Sequence, residues 1–302
     1  MSTAKAWIQA ARLRTLPLSI AGILAAGALA LSTSNFNTGI FIGSLLTAIG
    51  FQVLSNFAND YGDGVKGTDN EDRVGPERAM QSGALTAAGL KKGMIFTAVL
   101  TFLLSVALIY WAFGAENLPY AILFLVLGLS AIVAAIKYTV GKSAYGYRGL
   151  GDVFVFIFFG LVSVLGGYFL YAKALPVQII YPALSIGLWS TAVLHLNNMR
   201  DRESDSKAGK ITLAVKLGKR KSTFYHAFLI LGGSLAAFLY FFETATENYL
   251  AAVPLGAVGI LVGHLIRVFK TDDHKKLDPQ LKIVALSTFA YALLLLLVNL
   301  LA

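Results

Sequence analysis

Nine apolar runs of about 20 residues organise this chain, and an α-helix needs a run of that length to cross the ~30 Å hydrocarbon core of a bilayer. They fall at 16–33, 38–58, 93–113, 118–138, 152–171, 177–198, 222–242, 249–269 and 281–301. In lipid every backbone N–H and C=O needs an internal partner, so such runs are helical. The expected fold is therefore all-α: a polytopic membrane protein of about nine transmembrane helices in one domain, 1–302. Composition agrees. Of 302 residues 57% are hydrophobic and 14% charged, too little polar surface to cover a soluble globule. Disorder, a coiled coil and a disulfide scaffold are excluded as well. The chain has no cysteine, hence no thiolate metal ligand and no Cys nucleophile. An amphipathic stretch, 6–14, precedes the first run. It lacks a small-residue cleavage site, so no cleaved signal peptide is expected.

Lysine and arginine set the orientation of such a chain. With nine spans, the N-terminal residues and every second loop lie on one face. All but one of the 25 basic residues fall there, the exception being Lys173. That asymmetry predicts a cytoplasmic N-terminus and a C-terminus on the opposite side. It also accounts for the formal charge of +9 through topogenesis and anionic headgroups, with no nucleic acid required.

The acidic residues are concentrated in two loops of that same face, 56–83 and 197–213. The first holds Asp60, Asp63, Asp69, Glu71, Asp72 and Glu77. Asn56, Asn59, Asp60 and Asp63 are spaced i, i+3, i+4, i+7, one polar stripe on a helix. The second loop holds Asp201, Glu203 and Asp205, with Asn197 and Asn198 just before. Asn197, Asp201 and Asp205 repeat at i+4. Carboxylates so close repel one another unless a cation lies between them. An all-oxygen set suits Mg²⁺, which binds through a few carboxylates together with substrate phosphates. Lys66, Arg73, Arg78, Arg200, Lys207 and Lys210 are interleaved with the acids and suit a phosphate coat. The competing reading is a pair of solvated, charged helix caps. Asn and Asp on the apolar ends of two spans would then be costly decoration. The two clusters lie four spans apart, as a four-plus-four helix repeat with one extra helix would place them.

At these residues the chain resembles the UbiA-type intramembrane aromatic prenyltransferases. Their two Asp-rich motifs, Asn-Asp-x-x-Asp and Asp-x-x-x-Asp, match Asn59-Asp60-Tyr61-Gly62-Asp63 and Asp201-Arg202-Glu203-Ser204-Asp205. The stretches 59–69, 197–213 and 145–160 look like the menaquinone branch of that family, the 1,4-dihydroxy-2-naphthoate polyprenyltransferases. The resemblance spans essentially the whole chain. It implies nine helices around a central cavity open to lipid, in the inner (plasma) membrane of a bacterium. It also implies Mg²⁺ as cofactor, and transfer of a polyprenyl group from polyprenyl diphosphate to 1,4-dihydroxy-2-naphthoate. Carbon dioxide and diphosphate would be lost, and demethylmenaquinone formed. On this reading Asp60, Asp63, Asp201 and Asp205 are the catalytic metal ligands. Asn56, Asn59, Asn197 and Asn198 ligate or orient them, with Asp69 and Asp72 as second choices.

Lys137, Arg73, Arg200 and Lys210 are the candidates for gripping diphosphate, and Lys137 reads equally as a snorkelling lysine. Tyr138, Tyr145, Tyr147 and Asp152 are placed around the acceptor or prenyl pocket. His195 is read as a hydrogen-bonded packing residue, with a general base as the alternative. His226, His264 and His274 show no metal-ligand spacing. Residues 74–83, with Gly75 and Pro76, read as an ordered loop that lids the site. Three alternatives remain open at this point. The acceptor could be another aromatic, such as 4-hydroxybenzoate. Asp60-x-x-Asp63-Gly64 also opens as the CDP-alcohol phosphotransferase motif does, but the second acid pair is distant. A cation-coupled transporter would place its charges near mid-membrane on discontinuous helices.

Overall fold

The computed structural model describes residues 3–71, 74–244 and 249–301. Among them there is no β-strand, and nine helices are long and apolar enough to cross a membrane. An amphipathic helix α1 (Thr3–Ala11) leads into α2 (Leu16–Ser32) through an elbow at Arg12, whose φ of 50° is left-handed. Then follow α3 (Thr38–Val65), α4 (Ala87–Phe113), α5 (Leu118–Lys137), α6 (Gly151–Ala172) and α7 (Ile180–Arg200). A short helix α8 (Arg202–Lys207) precedes α9 (Leu213–Thr244), α10 (Leu255–Lys270) and α11 (Asp278–Leu301). The spans are α2 to α7 and α9 to α11.

Local sequence sets the helix ends. Asn37 and Thr86 accept hydrogen bonds from Ile40 N and Gly89 N and cap α3 and α4. Pro17 and Pro119 open α2 and α5, where a missing N–H costs nothing. Several helices outrun their apolar runs. The third starts at Ala87 and the seventh at Leu213, because polar first turns are still helical where loops can solvate them. Within α9, Gly218 departs from helix at φ 71°.

Two packing centres flank the middle of the bundle. Trp189, fully buried, anchors the larger one, which joins α2, α6, α7, α9, α10 and α11. Its indole N–H donates to the carbonyl of Ile230, 3.2 Å away. A smaller centre ties α1 to α3, α4 and α5 through Ala6, Ala10, Leu54, Phe57 and Leu90. Between α6 and α7 the backbones meet at Gly160 and Gly187. A Cβ on Gly160 would lie 2.6 Å from the Cα of Gly187. A third cluster, rich in Phe and Tyr, closes the bundle at the end remote from the acidic loops.

Candidate active site

The acidic stripe of α3 stays helical through Val65, as its spacing predicts. Asn56, Asp60 and Asp63 are buried, with Asp60 and Asp63 only 1% and 2% exposed. At the second cluster the helix breaks. α7 ends at Arg200 and Asp201 is the hinge before α8, so the i+4 series is split between two helices. Asp201 and Asp205 are nevertheless both 5% exposed.

The two clusters meet. Lys210 Nζ lies 3.5 Å from Asp63 Oδ2 and 3.8 Å from Asp205 Oδ1. One ammonium thus bridges carboxylates contributed by α3 and α8. Burial alone would lower the pKa of Lys210, but Asp63 and Asp205 outweigh it and hold the pKa above the usual lysine range. Around this pair, Arg12 donates to Asp60 Oδ1 at 2.7 Å and Arg78 donates to the same oxygen at 3.2 Å. The Arg78 guanidinium also lies 3.9 Å from Asp63 and 3.6 Å from Asp69. Tyr147 OH donates to Asp63 Oδ1 at 2.8 Å. Burial, then Asp63, push its phenol well above the ordinary tyrosine pKa, so it stays a neutral donor. Lys66 stacks 3.8 Å over the Tyr147 ring, its pKa lowered by burial against the pull of Asp63.

Arg200 organises the other motif. It forks onto Asp201 at 2.8 and 2.7 Å, reaches Asn197 at 2.8 Å, and pairs with Asp278 at the start of α11. Asp201 therefore faces this arginine, whereas Asp60, Asp63, Asp69 and Asp205 share Arg78 and Lys210. Asn56 spends its amide on the Ala11 carbonyl and Thr15, tying the N-terminal arm to α3. Asn59 accepts from Thr139 at 3.4 Å. Asn198 is buried beside Asn197.

Part of this cluster caps a chamber of about 1070 Å³ inside the bundle, whose lining does not include Asp69, Asn198, Asp201 or Asp205. Arg12, Asn56, Asn59, Asp60, Asp63, Arg78, Asn197, Arg200, Lys210 and Asp278 line its acidic end. Its wall also includes Ile8, Leu13 and Leu286, which are exposed on the outside. The chamber therefore opens laterally between the N-terminal arm and the first turns of α11. Tyr138, Tyr145 and Phe154 form an aromatic wall below the charges. Tyr145 stacks on Phe154 at 3.9 Å and meets Tyr138 edge-on at 5.3 Å. Residues 76–79 complete the roof, where the sequence places a lid.

Some expected residues lie elsewhere. Lys137 borders a separate apolar groove of about 390 Å³ on the outer surface. Tyr147 orients Asp63 from outside the chamber wall. Asp152 is buried against His195, with Oδ2 and Nδ1 3.3 Å apart, and His195 Nε2 faces the Ser222 carbonyl. Arg73 and Asp72 lie outside the described residues. Conversely, Arg12 and Asp278 join the site although sequence reading assigns Arg12 only to orientation and passes over Asp278. Each acts on a residue far along the chain, and no local spacing marks such a pair.

Among the described residues, no three His, Asp or Glu side chains converge on a point a metal ion would occupy. The chain's own cations, Arg12, Arg78 and Lys210, lie among these carboxylates. The donor set still fits a hard divalent ion: carboxylate and amide oxygens, buried, with an ammonium already seated between Asp63 and Asp205. The basic groups roughly offset the acids, so an incoming diphosphate brings negative charge that needs further cations.

Comparison with known proteins places this arrangement. The UbiA prenyltransferase family profile matches residues 19–294. A 1,4-dihydroxy-2-naphthoate octaprenyltransferase from Haemophilus influenzae is 45% identical over 279 residues, covering 91% of this chain and 89% of the relative. The enzyme of the same description from Escherichia coli is 45% identical over 240 residues, covering 80% and 77%. In fold, the chain is similar to a UbiA homologue from Archaeoglobus fulgidus bound to DMAPP and Mg²⁺. The TM-score is 0.66 at 14% identity, over 96% of this chain and 98% of that one.

Proposed function

Since this chain belongs to the UbiA prenyltransferase family, we propose that it transfers a polyprenyl group from polyprenyl diphosphate to 1,4-dihydroxy-2-naphthoate, the step that builds the demethylmenaquinone skeleton at the quinol level. The C1–O bond of the prenyl chain breaks and its electron pair leaves on diphosphate. A ring carbon of the acceptor forms the new C–C bond. The carboxylate departs as carbon dioxide and leaves its bonding pair on the ring. The observation that carries this reading is the meeting of Asp63 and Asp205 on one Lys210, at the charged end of a predominantly apolar, laterally open chamber.

Asp60, Asp63 and Asp205 are the residues that would hold Mg²⁺, with Asn59 and Asp69 alongside and Asp201 approaching from the Arg200 side. Magnesium, when bound, neutralises the leaving diphosphate. The chain's own part is to supply Arg12, Arg78, Arg200 and Lys210 as cations already desolvated at the same place. There a fixed charge acts on the leaving group more strongly than in water. Tyr138, Tyr145 and Phe154 present ring faces that steady an allylic cation. The surrounding bundle keeps water from it. The site faces the cytoplasm in this reading, as the basic loops require.

The decisive assay incubates purified protein with Mg²⁺, a labelled polyprenyl diphosphate and a panel of aromatic acceptors. Prenylated, decarboxylated naphthoquinol is expected, and EDTA should abolish it. Transfer to 4-hydroxybenzoate but not to dihydroxynaphthoate would overturn the acceptor, and no transfer to any acceptor would overturn the reaction.

A further inference from the structure

We propose that Gln52 on α3 selects the aromatic acceptor, its side-chain Oε1 accepting a hydrogen bond from the acceptor's 4-hydroxyl. The inference rests on the prenyl-transfer reading and deepens it. It says how the site tells 1,4-dihydroxy-2-naphthoate from a naphthoate without that hydroxyl.

Gln52 lines the chamber and is half-buried. It precedes Asn56 by four residues, so it continues the stripe of Asn56, Asn59, Asp60 and Asp63 one turn further in. Eight residues separate it from Asp60, about 12 Å along the helix at ~1.5 Å per residue. That interval has to hold the metal, the diphosphate and the ring that attacks C1. Gln52 stands at its inner edge.

A chain of hydrogen bonds fixes which end of the amide is free. The Ala11 carbonyl can only accept, so Asn56 turns its NH2 toward it, at 2.8 Å. Asn56 Oδ1 is thereby left facing Gln52. It too can only accept, so Gln52 presents its NH2, at 3.3 Å. The same NH2 donates to Thr15 Oγ1 at 3.1 Å. That hydroxyl has spent its own proton on the Arg12 carbonyl, 2.9 Å away. Turning the Gln52 amide over would set oxygen against oxygen at both Asn56 and Thr15. Both N–H groups of Gln52 are therefore used, and Oε1 has no hydrogen-bond partner among the described residues.

A fixed acceptor selects a donor. In 1,4-dihydroxy-2-naphthoate the 1-hydroxyl is ortho to the carboxylate and bonds to it internally, which leaves the 4-hydroxyl as the free donor. Ser55, three residues nearer the charged end, also lines the chamber. A hydroxyl turns to donate or accept, however, and imposes no such choice. Once a ring has displaced water from Gln52, an unpaired amide oxygen is costly. A ligand without the hydroxyl is then disfavoured by more than one lost bond.

The test measures Kd by anaerobic titration, with Mg²⁺ and diphosphate present, for 1,4-dihydroxy-2-naphthoate and for 1-hydroxy-2-naphthoate. The unmodified protein is expected to bind the second roughly tenfold or more weakly. Gln52→Leu should weaken binding of the dihydroxy compound until the two differ by less than about threefold, and leave the Kd of 1-hydroxy-2-naphthoate within about threefold of its former value. A glutamine that only tethered the N-terminal arm would affect both ligands alike and preserve the gap. Thr15→Val, which frees the amide to turn, should narrow the gap partway. Equal affinities in the unmodified protein, or an undiminished gap in Gln52→Leu, overturns the proposal. If Gln52→Leu does not fold, an undiminished gap in Thr15→Val overturns it instead. Absence of prenyl transfer to every acceptor would sink the parent reading; transfer to dihydroxynaphthoate with no gap would sink only this one.

Discussion

Buried carboxylates at the acidic end are each held by a cation, and the identity of that cation decides what a substitution does. Lys210 keeps Asp63 and Asp205 from repelling one another. Lys210→Met should therefore lower the thermal midpoint in the absence of metal and make it more sensitive to added Mg²⁺ than in the unmodified protein. Thermal unfolding with and without Mg²⁺ checks this; identical metal dependence in both proteins would contradict it. Arg78 is the other pivot, reaching Asp60, Asp63 and Asp69 with one planar fork. A lysine keeps the charge but offers a single point donor. Arg78→Lys is expected to lower kcat/KM for the diphosphate by one to two orders of magnitude, within the range for losing one preorganised charge donor. Near-normal kinetics would remove Arg78 from the site.

Among the secondary-structure elements, the site depends on how α3, α7 and α8 are placed rather than on their length. The α6–α7 crossing fixes α7 at close range, because only hydrogen side chains fit where Gly160 meets Gly187. Gly160→Ala puts a methyl 2.6 Å from backbone, which cannot move as a side chain tip would. A loss of about 1–3 kcal/mol follows from overpacking of this kind. It should appear as a lower thermal midpoint with activity lost in parallel, while Gly128→Ala, in open space, should leave stability unchanged or slightly raised. The break at Asp201 matters in a different way. By ending α7 it frees α8 to turn Asp205 toward Asp63 while Asp201 stays with Arg200, so one motif serves two neighbouring ion-pair groups.

For the whole molecule, charge and apolarity are segregated along the bundle, with acids and paired bases at one end and a sealed aromatic layer at the other. On the orientation we propose from the distribution of lysine and arginine, the acidic end faces the cytoplasm. The absence of cysteine allows a direct check. Single substitutions Glu203→Cys and Lys173→Cys should be labelled by an impermeant maleimide from opposite sides of inverted vesicles, Glu203→Cys from the cytoplasmic side. Labelling of both from one side would refute the nine-span topology, and a reversed pattern would refute the orientation.

How much of this was legible beforehand follows from what is local. Nine spans, their alternation and the helical stripe from Asn56 to Asp63 were readable because hydrophobic length and i+4 spacing are properties of contiguous residues. The pairing of the two acidic clusters was an inference from their shared face. Contacts between distant residues were not readable: Arg12 on Asp60, Asp278 on Arg200, Lys210 between two motifs, and Lys137 turned outward from the chamber. Nor could any string of residues show which glycines border empty space and which are wedged against a neighbour. Those are distances between helices, and they exist only once packing has set each helix against the others.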